Sequence, residues 1–187
     1  LDLLHSIVVI NEVLYDPSGS DGGYEWIELY NDSDSAISLS GWEIQKAGTE
    51  FETLLILPEI SINPQTHLLI GDEFVENTDL TAELSFQNGG SATDGIRIIS
   101  ADGLYTDTVL YDDPNTNLLP DDQSDPGQFF APDVSGGHSL ARTSDGVDSD
   151  NCQIDWFDCS EPTPGQSNFF PIDLEISYLE IEENGAN

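Results

Sequence analysis

No long stretch of this chain repeats its apolar residues at the three-to-four spacing of a helix face. They come instead in short alternating runs, broken about every ten positions by Gly, Pro, Asn or Asp. Ile7 to Tyr15 reads as a first strand and Tyr24 to Asn31 as a second, with Asp16-Pro17-Ser18-Gly19-Ser20-Asp21-Gly22-Gly23 as the turn between them. Alternation puts Ile27 and Leu29 on one face of the second strand and Trp26, Glu28 and Tyr30 on the other. Ala36 to Gln45 reads as a third strand, with Gly41 shifting the phase as a bulge does. Phe51 to Leu57 and Thr66 to Gly71 follow, bracketed by Pro58 and Pro64, and Asp72 to Leu84 has room for one helical turn. Gly95 to Ser100 and Leu104 to Tyr111 form a hairpin around Ala101-Asp102-Gly103. The segment from Asp112 to Gly137 is a long excursion of Asp, Pro, Asn, Gln and Gly. These patterns predict an all-β sandwich of about seven to nine strands.

Charge is the second constraint. The 37 acidic residues face three basic ones, Lys46, Arg97 and Arg142, for a formal net charge of -34. Three Trp, six Tyr and eight Phe argue against the disorder that so acidic a composition otherwise suggests. The 187 residues suit one domain with some extra length. A surface this negative repels phosphates, which excludes direct nucleic-acid contact and favours divalent cations and cationic partners. Adaptation to salt and loading with calcium both account for the acidity. A chain that starts at Leu1 and lacks Met is expected to be a processed piece of a longer protein. No apolar run approaches the ~20 residues of a membrane span, so no membrane insertion is expected.

Several motifs carry a family likeness. Ile10-Asn11-Glu12-Val13, Tyr24-Glu25-Trp26-Ile27-Glu28-Leu29-Tyr30-Asn31 and Leu39-Ser40-Gly41-Trp42-Glu43-Ile44 come in order, followed by Asn63-Pro64-Gln65 and the Gly95 to Ile99 run with Asp102-Gly103. The second half adds Ser139-Leu140-Ala141-Arg142, an Asp145 to Asn151 loop, Asp155-Trp156 and a closing Pro162 to Asn168 run. This order resembles the lamin tail domain family, and the second half resembles its bacterial secreted and surface members. The resemblance covers roughly residues 7 to 168. It implies an immunoglobulin-like β-sandwich over residues 1-168, with 169-187 a linker or the start of a following domain. It also implies an exported or cell-surface protein of bacterial origin, in which such domains accompany nucleases, hydrolases or adhesive domains. Nuclear lamin tails are basic enough to meet DNA, and this chain is the reverse.

The candidate sites are carboxylates. Asp145, Asp148, Asp150 and Asn151, with Asp155 following, offer hard oxygen ligands suited to calcium, though without the spacing of an EF-hand. Asp112-Asp113 and Asp121-Asp122 with Asp125 form a second calcium candidate, and a solvated Asp/Asn turn is the competing, plainer reading of either run. Glu25 and Glu28 sit on a strand expected to be half buried and need a cation. Arg142 is expected to supply it as a structural ion pair. The catalytic alternative makes Glu12, Glu25 and Glu28 a metal or acid–base cluster of a metal-dependent hydrolase. Cys152 and Cys159 enclose six residues, and a disulfide closing that loop, worth about 2.5 kcal/mol, is expected along with export. Trp42 and Trp156 are expected in the core, with sugar stacking by Trp156 or Tyr24 as the alternative. Nucleophile and phosphate-loop motifs are absent from the sequence. The expected function is therefore a non-catalytic interaction or spacer module, calcium-stabilised, with a protein or glycan partner and neighbouring domains in the same chain. A calcium-dependent carbohydrate-binding or adhesion domain is the competing reading of another class.

Overall fold

The structure is a computed structural model that describes residues 8–19 and 22–168. Twelve strands and one helical turn follow in order: β1 (Val8–Leu14), β2 (Trp26–Asn31), β3 (Ile37–Ser38), β4 (Glu43–Ala47), β5 (Phe51–Ile56), β6 (Ser61–Ile62), β7 (His67–Gly71), β8 (Leu80–Thr81), β9 (Asp94–Ile99), β10 (Thr106–Tyr111), β11 (Ser139–Arg142), α1 (Cys152–Asp155) and β12 (Trp156–Cys159). Three of the twelve, β3, β6 and β8, are two residues long. The nine longer strands fall within the range expected from sequence.

They form two main sheets. One has six strands in the order β12-β11-β1-β2-β7-β8, the other four in the order β10-β9-β4-β5, and β3 pairs with β6 as a two-stranded ribbon. All pairings between named strands are antiparallel except β7 with β8. The sheets pack face to face as a sandwich. Val8, Ile10, Val13, Ile27, Leu29, Leu68, Ile70 and Leu140 of the larger sheet share one core with Ile44, Ile96, Ile98 and Val109 of the smaller. Ile27 and Leu29 face this core, as their alternation requires, and Trp156 joins it. Trp42 is half buried against its edge, 5.6 Å from the Tyr105 ring.

The register of β1 shifts between Ile10 and Glu12. In a regular strand, Glu12 would follow Val8 and Ile10 into the core. The extra residue, Asn11, reverses the phase, so Val13 enters the core and Glu12 turns to the outer face, directly across from Glu28.

Two local expectations are corrected. Ala36 to Gln45 is not one strand. Leu39 and Trp42 close a turn (Trp42 N–H to Leu39 C=O, 3.0 Å) around Gly41 at φ +78°, and the chain passes from the β3–β6 ribbon into the smaller sheet. Asp72 to Leu84 holds no helical turn but the short parallel strand β8. The one helical turn among the described residues lies at Cys152–Asp155, where Asn151 caps it. The expected linker at 169-187 lies outside the described residues.

The sheet edges differ in how they end. On β10 the outward main-chain groups of Thr108 and Leu110 have partners. Thr108 N–H donates to Asp122 Oδ2 (3.1 Å), and the Cys152 thiol donates to Thr108 C=O (3.7 Å). Leu110 N–H reaches Cys152 Sγ (3.5 Å), and Leu110 C=O accepts from Ala131 N–H (2.7 Å). The opposite edge, β5, pairs with β4 on one side and with no described strand on the other.

Candidate functional site

Two clusters of buried carboxylates lie on opposite faces of the six-stranded sheet. The outer one is built on the bulge of β1. Glu12 and Glu28 are cross-strand partners and both are fully buried. Like charges directly opposite each other are destabilising, so both oxygens of each group are engaged by donors. Glu12 accepts from the Ser139 hydroxyl, from Thr163 N–H (2.9 Å) and from the Thr163 hydroxyl (2.8 Å). Glu28 accepts from Asn11 Nδ2 (3.1 Å) and from Gly165 N–H. Asn168 closes the arrangement: its Nδ2 donates to Asn11 C=O (2.9 Å) and Arg142 C=O (3.1 Å), while its N–H donates to Asp145 Oδ1 (2.9 Å). The Pro162 to Asn168 run is thus a clasp laid over the carboxylate pair.

Among the described residues no Lys or Arg is paired with Glu12 or Glu28. His67 Nε2 stands 3.8 Å from Glu28 and 3.4 Å from Asp145, buried and without a hydrogen bond. Burial, stronger than the pull of Asn11 and Gly165, pushes the Glu28 carboxyl up to about 8. Burial raises Glu12 as well, against its Ser139 and Thr163 donors. At neutral pH a proton therefore rests within the pair, and that proton relieves the repulsion.

The inner cluster is built on Arg142, which shares the core-facing side of β11 with Leu140. Its Nη2 meets Asp107 Oδ1 at 2.8 Å and its Nη1 meets Asp148 Oδ1 at 3.2 Å and Val147 C=O at 2.8 Å, with Asp155 at 4.0 Å. The guanidinium also lies over the Trp156 ring, 4.7 Å from its centre. Its Nε donates to Ile10 C=O (2.7 Å), and Asp107 Oδ2 accepts from Ile10 N–H (2.6 Å). The bulge leaves Ile10 without a β11 partner, and this ion pair takes the place of the missing ladder bonds. Asp122 completes the group: Asp107, Asp122 and Asp148 bring carboxylate oxygens within 4.8 Å of one another. Burial, with Asp107 and Asp148 nearby, pushes Asp122 up to about 8; burial also raises Asp107, to about 6, against the opposing pull of the Arg142 guanidinium. Three carboxylates set against one guanidinium leave two negative charges in excess, which a proton reduces and a divalent ion cancels.

The structure redistributes the residues expected from sequence. Arg142 is buried and paired, but not with Glu25 or Glu28. Strand parity puts Glu28 on the outer face and Arg142 on the inner one. Glu25 instead accepts from Phe86 N–H (2.8 Å). Of the calcium set, Asp148 alone joins the three-carboxylate group. Asp145 turns to the outer cluster, and Asp150 accepts from Gln123 (3.0 Å). Asn151 caps α1, and Asp155 folds back onto Ser149 (2.7 Å from the hydroxyl) and Asn151 (3.2 Å). Asp122 comes from the second candidate run, so one residue from each run meets at the site. Glu12 and Glu28 meet, but Glu25 does not join them, and none of the three lines the groove of about 860 Å³ beside the clasp, whose walls include His67, Asp79, Pro164 and Gln166. The expected disulfide is absent. Cys152 and Cys159 are free thiols. Cys152 points into the β10 edge, while the Cys159 thiol on β12 donates to Glu161 C=O (3.3 Å), so the intervening turn aims the two in different directions.

Sequence reasoning missed Asp107, Asn11, Thr163 and Asn168. Asp107 did leave a signal, because it shares parity with Val109 and Tyr111 and so had to sit on a core face. The clasp donors left none, since three of its bonds come from main-chain N–H groups.

A six-on-four sandwich, antiparallel in all but one pairing, is an immunoglobulin-like fold. The sequence profile of the Lamin Tail Domain family matches residues 5–119, and the chain belongs to that family. The match ends before β11, β12 and the clasp. No curated protein matches the chain.

Proposed function

We propose that this domain is a non-catalytic accessory module of an exported multidomain protein, holding or presenting its neighbours, and that calcium stabilises it at Asp107, Asp122 and Asp148. The observation that supports the first part is the use made of the strand glutamates: Glu12, Glu25 and Glu28 are buried and occupied by main-chain, hydroxyl and side-chain amide donors from four separate segments. Carboxylates so engaged serve the fold, which speaks against the hydrolase alternative. The test is to excise residues 5–168 from the parent protein and follow two quantities. Turnover of a small soluble substrate should survive, and retention on the partner or surface should fall. Loss of turnover on Glu28→Gln alone, with the fold intact, would overturn the reading.

The calcium part is supported by the charge excess around Arg142. Calcium takes oxygen ligands in irregular geometry, and a divalent ion would displace the Asp122 proton. The test is a melt with and without millimolar calcium at constant high ionic strength, on the native chain and on Asp122→Asn/Asp148→Asn. One site at a calcium concentration 100 times its dissociation constant adds about 2.7 kcal/mol. An equal gain in the double variant removes the site. A native chain that ignores calcium leaves the proton on Asp122 as the neutralising charge.

A further inference from the structure

We propose that β5, the open edge of the smaller sheet, accepts a lysine- or arginine-bearing extended segment of a partner protein as an added strand. This rests on the reading of the domain as an interaction module and names the surface and the partner chemistry.

The edges of the sandwich are not equivalent. On β10, Asp122, Cys152 and Ala131 occupy the outward N–H and C=O groups of Thr108 and Leu110. The larger sheet ends in strands of two residues (β8) and four (β12). β5 runs for six residues with β4 as its one described neighbour. Leu57 N–H donates to Trp42 C=O (2.8 Å), so alternation turns the main chain of Ile56 away from β4. Trp42 and Ile44 face β5, which leaves Gln45 facing β9, and Thr53 opposite it therefore also points its N–H and C=O outward. Ile56 is 61% exposed beside these groups. An edge of this length whose outward donors and acceptors have no partner among the described residues is a template for another strand.

Charge selects which strand. Glu50, Glu52 and Glu59 are exposed on and around the edge. The nearest cations lie further inward and are engaged. Lys46 on β4 meets Ser85 C=O (2.8 Å) and Glu52 (3.6 Å), and Arg97 on β9 stacks over Phe51 (3.8 Å) and donates to Pro120 C=O (2.8 Å). A second copy of this chain is the wrong occupant. Paired strands lie about 4.8 Å apart, inside the Debye length of about 8 Å at physiological salt, so two such edges would set glutamates against each other unscreened. An incoming strand with Lys or Arg at alternate positions turns the same carboxylates into cross-strand partners, and an apolar residue in it covers Ile56.

The test uses a labelled peptide of about eight residues alternating lysine with threonine and valine, titrated into the chain at about 0.15 M salt. Saturable binding is expected, with slowed amide exchange at Thr53 and Ile56. Ile56→Pro deletes one outward N–H and leaves the β4 bonds in place. It should weaken binding by about tenfold or more with an unchanged melt, and Thr53→Pro serves as a second variant should the first unfold. Binding that survives both prolines is general electrostatic attraction and overturns the proposal. So does equal binding of a peptide with glutamate in place of lysine, exchange protection at β12 instead, or a dimer of the chain alone that Ile56→Pro dissolves. A chain that ignores the peptide yet retains its parent protein on its partner loses this inference and keeps the interaction module.

Discussion

The two buried carboxylate clusters sit on opposite faces of one sheet and solve the same electrostatic problem by different means. The inner one uses a full cation. Arg142 reaches Asp107, Asp148 and two main-chain carbonyls at once, which a planar five-donor guanidinium can do and a single ammonium cannot. The outer one uses neutral donors, most of them contributed by a segment more than 130 residues away in sequence, and keeps a proton. A cation makes a cluster depend on one side chain. Distributed donors spread the dependence over a loop and tie it to pH.

That contrast predicts a graded set of outcomes. Arg142→Ala should cost about 3–5 kcal/mol, the range for stranding a buried charge, measured by denaturant melts. Arg142→Met/Asp107→Leu should recover little of this, because the N–H and C=O of Ile10 lose their partners along with the charges. Full recovery would reduce the pair to simple charge balance.

The outer cluster should show itself in pH. Glu28 keeps its proton to about 8 in the folded chain against an ordinary 4.5, so the folded state binds more protons than the unfolded one between those values. Its contribution is complete below pH 4.5 and is lost as pH rises through about 8, so stability should fall between pH 5 and 7.5 by about 3 kcal/mol from this group. Asp112, raised by burial to about 6, adds to the fall at its lower end. Melts of Glu28→Gln should give a shallower slope, and an unchanged slope would move the proton elsewhere.

Smaller effects follow at single donors. Thr163→Val removes one hydroxyl bond to Glu12 and keeps the main-chain one, for a loss of about 1–3 kcal/mol. The thiols should be the mildest case: denatured, non-reduced protein should titrate two free cysteines, and Cys159→Ser, which keeps a donor for Glu161 C=O, should stay within about 0.5–1 kcal/mol of the native chain. A bridged pair would restore the expectation read from the spacing of Cys152 and Cys159.

The strands and their faces were legible because alternation is local. Ile27 and Leu29 could be set against Trp26, Glu28 and Tyr30 without knowing any neighbour. The Asn11 bulge was not, because it depends on register against β2, and with it went the face of Glu12. Arg142 was recognisable as a residue needing a carboxylate in a chain with three cations, yet its partner was misread, since parity along β11 was not carried across to β2. The calcium residues were sought within one loop, whereas the three carboxylates that converge come from β10, the long excursion and the loop after β11.

The placement of β1 has a further consequence in time. It lies between β2 and β11, so Glu12 pairs with Glu28 on one side and with Ala141 on the other. A chain delivered from its N-terminus can form the β1–β2–β7 half early, but β11 and the clasp emerge some seventy to a hundred residues later, a wait on the order of several seconds at ordinary synthesis rates. Through that interval β1 is itself a free edge and its glutamate has no clasp. Long-range pairings of this kind slow folding, so the last segment to arrive is the one that closes the middle of the sheet.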